Sequence, residues 1–194
     1  MNNTPSLNEK LPPLIPGDIV LTNNRAFDGD TTFARLIGWF ESWKDKAPAD
    51  ATHVAGSLGG HEIIESLGKV TRGSVWKYAD IPIRVWRLKG IGYDKRVNIA
   101  ARWDTVEHQK YAWTKIPLFA LDSLFSTYFF TRTFGLSSFK VCSNLIAWAY
   151  EKEVGYKFGA VWRSISPDDI DDFCAEHPEW GLVWDSMGGN PNHV

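Results

Sequence analysis

Residues 52–67 read THVAGSLGGHEIIESL, and the fold turns on how that stretch is paired. Segments 52–58 and 62–67 are strand-like, and Gly59-Gly60-His61 between them supplies turn chemistry, so the two predict a β-hairpin. Register then decides which side chains share a face, because a slip of one residue turns every side chain over. If Ser57 and His61 close the loop, His53 lies directly opposite Glu65 on one face. A two-residue Gly59-Gly60 turn puts them on opposite faces. Under either register, His53 opens a strand of small or apolar residues and Glu65 stands in an apolar run. A polar side chain in such a place needs a partner.

Working outward, Pro16-Gly17-Asp18 marks a turn and Ile19-Val20-Leu21-Thr22 a short buried strand. Phe33, Leu36, Ile37 and Phe40 form one helical stripe over 33–43, with Asp30 or Thr31 as N-cap. Downstream of the hairpin, Lys69-Val70 leads on to Val75-Trp76. Residues 83–88 (IRVWRL) alternate apolar and charged, as a half-buried strand does. Residues 94–112 predict a helix whose packed face draws on Val97, Ala100, Ala101, Val106 and Tyr111. The aromatic stretch 113–134 fits either a helix or a wandering loop. A helix over 140–154 follows, with Val141, Leu145, Trp148 and Ala149 on one face and Gly155 beyond its end. Ser166-Pro167-Asp168-Asp169 has the form of a capped helix start. The order of elements is that of an α+β fold with an antiparallel sheet. Its expected organisation is a flexible arm over 1–16, one domain over 17–187 with an aromatic insert at 113–134, and a polar tail over 188–194.

Composition narrows the function. Twenty-one Lys and Arg against 23 Asp and Glu give a net charge of −2, and no basic run stands out, so no nucleic-acid partner is expected. The 10 Trp, 11 Phe and 6 Tyr are an aromatic excess that suits a Trp-rich core or the wall of a site. The most apolar stretch, 116–130, carries Asp122 and falls short of the roughly 20 residues a spanning helix needs, so no transmembrane segment is expected. Residues 1–16 are polar and Pro-rich without the h-region of a secretory signal, which predicts a cytoplasmic chain. Two cysteines, Cys142 and Cys174, make neither a disulfide framework nor a zinc site, and no metal or cofactor is expected.

Either cysteine is a candidate nucleophile. Cys142 lies in the first turn of its helix, where partial positive charge and unsatisfied N–H groups favour the thiolate and can serve an oxyanion. The competing reading is a small buried apolar residue. Cys174 sits among Asp168, Asp169, Asp171 and Asp172, whose charge raises a thiol pKa and slows it. A thiolate needs a base, usually His. His61, His108, His177 and His193 all fall in turns, polar segments or the tail. His53 is the one enclosed by apolar sequence.

The segments Gly17-Asp18-Ile19-Val20, His53-Val54-Ala55-Gly56, Ile63-Ile64-Glu65-Ser66 with Gly68-Lys69-Val70, and Val141-Cys142-Ser143-Asn144-Leu145-Ile146 resemble the circularly permuted papain-like amidases, the YiiX-like branch of the NlpC superfamily. As in that branch, the His strand precedes the Cys helix. The resemblance runs from about residue 17 to 172 and is weakest over 113–134. It implies a permuted papain-like fold, an antiparallel sheet or partial barrel packed against helices. It makes Cys142 the nucleophile, His53 the base and Glu65 the group orienting His53. Ser166-Pro167-Asp168-Asp169 resembles the family's closing segment, read here as a structural helix start, and Asp18 is read as a turn-stabilising acid.

Three functions follow as expectations. The first is a cysteine hydrolase for amide bonds in short or cell-wall peptides. The second is a lipid-directed acyl transferase or hydrolase of the same fold, its apolar insert meeting lipid. The third is a papain-like domain reused as a binding or structural module in a virion or other assembly, docked through the N-terminal arm. A cell-wall substrate would require carriage by a virion, export by a non-classical route or action after lysis, and otherwise the expected substrate is cytoplasmic, such as a recycled wall peptide.

Overall fold

The structure, a computed structural model, describes residues 11–23, 51–67, 69–109, 142–159 and 165–187. Strands β1 (Ile19–Thr22), β2 (His53–Gly59), β3 (Glu62–Leu67) and β4 (Lys69–Ser74) come first, and a 3-10 turn (Val75–Tyr78) follows them. Then come β5 (Ile83–Leu88), helices α1 (Tyr93–Asp104), α2 (Cys142–Val154) and α3 (Pro167–Glu176), and β6 (Trp180–Asp185). The six strands form one open sheet in the order β4-β3-β2-β1-β5-β6, antiparallel throughout. This is the α+β arrangement expected, but the sheet does not close into a barrel.

Both faces of the sheet are covered. On one side Ile19, Leu21, Val54, Ile64 and Trp86 pack with Trp103 of α1 and Leu145, Ile146 and Tyr150 of α2. On the other, Val20, Ala55, Ile63 and Val85 pack against Leu11, Leu14, Val75, Tyr78 and Ile81. Two expectations fail for this reason. Residues 11–16 are not a free arm, since Leu14 is buried and bridges to Gly60. Strand 83–88 is buried on both faces: Arg84 is 3% exposed and is neutralised by Asp171 and Asp185, with Asp171 also accepting the Trp86 indole N–H at 2.6 Å. Burial by itself would lower the Arg84 guanidinium, and the two carboxylates raise it instead.

The hairpin forms, in a register the sequence did not single out. Ala55 pairs with Glu65, Gly56 with Ile64 and Ser57 with Ile63, and the ladder shifts between Ser57 and Gly59. The extra residue is absorbed at Gly59 and Gly60, whose φ angles of 114° and 60° suit glycine, and the Gly60 N–H donates to Leu14. Compared with the loop closed by Ser57 and His61, the slip is of two residues. His53 and Glu65 therefore stay on one face as diagonal neighbours, rather than directly opposed.

Helix α1 ends earlier than predicted, and its face agrees only in part: Ala100 and Val106 are buried as expected, Val97 and Ala101 are not. The chain after Asp104 turns back to the sheet edge, where the His108 N–H donates to Val70 and the Val70 N–H to Gln109. Arg96, Ile99, Ala100 and Trp103 are buried, while Val97 is 39% exposed and Ala101 faces out. The rotation has a cause: the Arg96 guanidinium donates to the Leu88 carbonyl, which draws a charged residue inward. Trp103 meets β2 at Gly56, where a side chain would strike the indole. Helix α2 is buried over Cys142–Tyr150 except for the partly exposed Trp148, and its last turn, Glu151–Val154, reaches solvent. Strand β6, not foreseen in the sequence, completes the sheet beside β5. The predicted helix over 33–43 and the aromatic stretch 113–134 lie outside the described residues. Among those described, no helix is long and apolar enough to cross a membrane.

Candidate active site

His53 opens β2, Cys142 opens α2, and Glu65 lies in the middle of β3. The sheet positions His53 and Glu65, and the helix packed on it brings the Cys142 thiol to them. Cys142 belongs to the core layer between sheet and helices, and Tyr78 to the layer on the opposite face. His53 neighbours both: its charge bears on the Cys142 thiol, and its ring centroid lies 6.4 Å from that of Tyr78. Its Nε2 is 3.0 Å from Glu65 Oε2. With Nε2–H donating to the carboxylate, Nδ1 is the nitrogen left for the thiol, so the tautomer follows from the partners. The structure thus brings together the three residues singled out in the sequence.

All three are enclosed: Cys142 is 4% exposed, His53 3% and Glu65 2%. Burial alone would push the Cys142 thiol up. The charge and hydrogen bond of His53, together with the backbone N–H groups of Val54 and Ser143, more than offset it and hold the thiol below its ordinary value. The first-turn position adds the partial positive charge of a helix N-terminus. Cys174 shows the contrast. It is equally buried, but its neighbour is Asp171, and burial reinforced by that charge drives its thiol well up.

The other histidines stand elsewhere. His61 is exposed at the hairpin turn against Trp76, with ring centroids 4.6 Å apart, and His108 is exposed after α1. His177 stacks on Phe173 at 3.7 Å, with its Nδ1 2.8 Å from the Phe173 carbonyl. His193 lies outside the described residues. Asp18 is fully buried, accepting the Ile15 N–H and a two-pronged contact from Arg87, so it holds the turn before β1.

Three contributions escaped the sequence reading. Ser166 and Asp169 form the expected capping box, but Asp168 beside them accepts the Ala51 N–H at 3.1 Å and so ties α3 to the entry of β2. Lys77 and Tyr78 of the 3-10 turn both reach Glu65, Lys77 at Oε1 and Tyr78 at Oε2. In sequence they are one basic and one aromatic residue after a strand, and no local pattern marks them.

No protein-family model matches the chain, and no curated protein matches it. Among solved structures, the crystal structure of the metalloprotein YiiX from Escherichia coli O157:H7, also described as DUF1105, superposes with a TM-score of 0.56 at 12% identity, covering 88% of this chain and 97% of that one. At that identity the likeness is one of fold, and the chain has a YiiX-like α+β fold built on an open antiparallel sheet.

Proposed function

We propose that this chain is a cysteine hydrolase of the permuted papain-like kind, cleaving amide bonds in short or cell-wall peptides. The observation that carries the proposal is a buried thiol at a helix N-terminus, held below its ordinary value by a neighbouring histidine whose Nε2 lies 3.0 Å from a buried carboxylate. His53 Nδ1 takes the Cys142 proton, and the thiolate attacks the substrate carbonyl. The oxyanion meets first-turn N–H groups of α2, which have no intrahelical partner. As the tetrahedral species collapses, the C–N bond breaks and His53 protonates the leaving amine. A water then gives its proton to His53 and attacks the thioester, and the acid departs with the thiol restored. Glu65 fixes the imidazole tautomer and stabilises the imidazolium.

YiiX is described as a metalloprotein, and the donor set here does not fit a metal. Both Glu65 oxygens and His53 Nε2 are engaged by neighbouring side chains, and no group of three or more His, Cys, Asp or Glu among the described residues could hold an ion.

The test is the pH dependence of iodoacetamide alkylation at Cys142, read by mass spectrometry in the native protein and in His53→Ala. An apparent thiol pKa well below about 8.5 that returns upward in the variant supports the pair. Hydrolysis of peptide substrates without dependence on detergent micelles then supports amide over lipid chemistry. A thiol that titrates as a free one sinks the proposal. The near-complete enclosure of Cys142 favours a second reading, a fold reused as a binding module. A folded chain whose Cys142 resists the reagent at every pH would support that reading instead.

A further inference from the structure

The proposed chemistry uses one edge of Glu65 and leaves unexplained why the rest of that carboxylate is so crowded. Lys77 Nζ contacts Oε1, while Tyr78 Oη donates to Oε2, the oxygen that also faces His53 Nε2. Both residues come from one short turn that is itself tied down. The Val75 N–H donates to the His61 carbonyl at the hairpin, Ser74 Oγ accepts the Trp76 N–H, and Val75 and Tyr78 are buried. A carboxylate with donors on both oxygens cannot rotate freely about its last torsion.

Charge gives a second reason. A thiolate, an imidazolium and a carboxylate would together leave one uncompensated negative charge in a dry site, and such charges are costly. The Lys77 ammonium makes the group of four neutral, with the Lys77 side chain 36% exposed and that of Glu65 3%. Among the described residues, the titratable groups around this carboxylate are His53 of β2, Lys77 and Tyr78 of the turn, and Cys142 of α2 beyond His53. Burial, and then the neighbouring Cys142, push the Tyr78 phenol well up, so it stays a donor. Burial draws the Lys77 ammonium down, to about 8, and its contact with Glu65 works in the opposite sense.

We infer that Lys77 and Tyr78 are positioning residues, pinning the Glu65 carboxylate so that it holds His53 with Nε2–H toward Glu65 and Nδ1 toward Cys142. The inference deepens the reading of Cys142, His53 and Glu65 as one working set and rests on it. Its test therefore carries a readout that needs no reactivity. The ¹⁵N shifts of the His53 imidazole are measured in the full chain, in Tyr78→Phe, Lys77→Met and Lys77→Arg, alongside Cys142 alkylation at pH 6.5. The native chain should show the Nε2–H tautomer. Tyr78→Phe and Lys77→Met should move the shifts toward a tautomer average and slow alkylation about tenfold, as expected for loss of a hydrogen bond to a charged group. Lys77→Arg should keep both. In a Glu65→Gln background neither substitution should change the rate more than about twofold, because both act through that carboxylate. Native ¹⁵N shifts in Tyr78→Phe and Lys77→Met overturn the inference, as does an undiminished rate loss on Glu65→Gln. Responsive shifts around a Cys142 that alkylates like a free thiol support the positioning role and sink the hydrolase.

Discussion

A methyl group at position 56 should cost more than its size suggests. A Cβ built on Gly56 would lie 2.4, 2.5 and 2.7 Å from three carbons of the Trp103 ring, where ordinary contact begins at 3.4 Å. Either the indole or β2 must give by about 1 Å. The indole has little freedom, being fully buried and packed on Tyr150 with centroids 6.1 Å apart. Overpacking of this kind costs about 1–3 kcal/mol, and a rigid ring that cannot fold away belongs at the upper end. Removing a glycine from the unfolded chain returns about 0.5–1 kcal/mol. The net for Gly56→Ala is about 2 kcal/mol of destabilisation, or a Tm lower by roughly 4–8 °C for a chain of this size. Thermal and urea unfolding followed by circular dichroism would measure it. On a Trp103→Phe background, where the outer ring is gone, the same substitution should cost less than about 1 kcal/mol. Gly56→Ala within about 0.5 kcal/mol of the native chain, or an equal cost on both backgrounds, would refute the steric argument.

Iodoacetamide at pH 6.5 should label Cys142 well before Cys174, because one thiol is held low by His53 and the other driven up by burial and Asp171; peptide mapping reads the ratio, and equal rates would contradict it. A depressed thiol pKa means the thiolate persists as pH falls from about 8.5 toward the folded value, so the alkylation rate should hold across that window and fall below it. Arg84→Met leaves Asp171 and Asp185 without their guanidinium and should cost about 3–5 kcal/mol in urea unfolding. Pairing it with Asp171→Leu should recover much of that loss. Ser166→Ala, which removes one half of the capping box on α3, should cost about 1 kcal/mol by the same measurement.

What was legible in the sequence was local. The hairpin, the strand at Ile19–Thr22, the end of α2 and the capping box at Ser166 each carry their signal within a few residues. Register was not legible to the residue, because the bulge near Gly59 depends on Leu14 bridging to Gly60 from 46 positions away. The face of α1 departs from its pattern at Val97 and Ala101 for a similar reason. Its polar Arg96 turns inward to a carbonyl on β5, and no periodicity of the helix itself can announce that. Strand β6 does not keep a strict alternation: Trp180 and Leu182 pair with Leu88 and Trp86 on one face, and after a bulge Trp184 pairs with Val85 on the other. A bulge within six residues breaks the period-2 pattern by which a strand is read from sequence.

The site repeats this division between near and far. Whether His53 and Glu65 meet depends only on the parity of the hairpin, and a slip of two residues preserves parity where a slip of one would destroy it. That is why the pairing survives a register not singled out in advance. What the hairpin cannot specify is how the carboxylate is held once it faces the histidine. That work falls to the 3-10 turn at the end of β4, where two adjacent residues meet opposite oxygens of one side chain. A charged group buried at the centre of a sheet is stable only when its remaining lone pairs are filled. The crowding at Glu65 is therefore what a buried anion requires, and the same contacts leave it a single direction in which to hold His53.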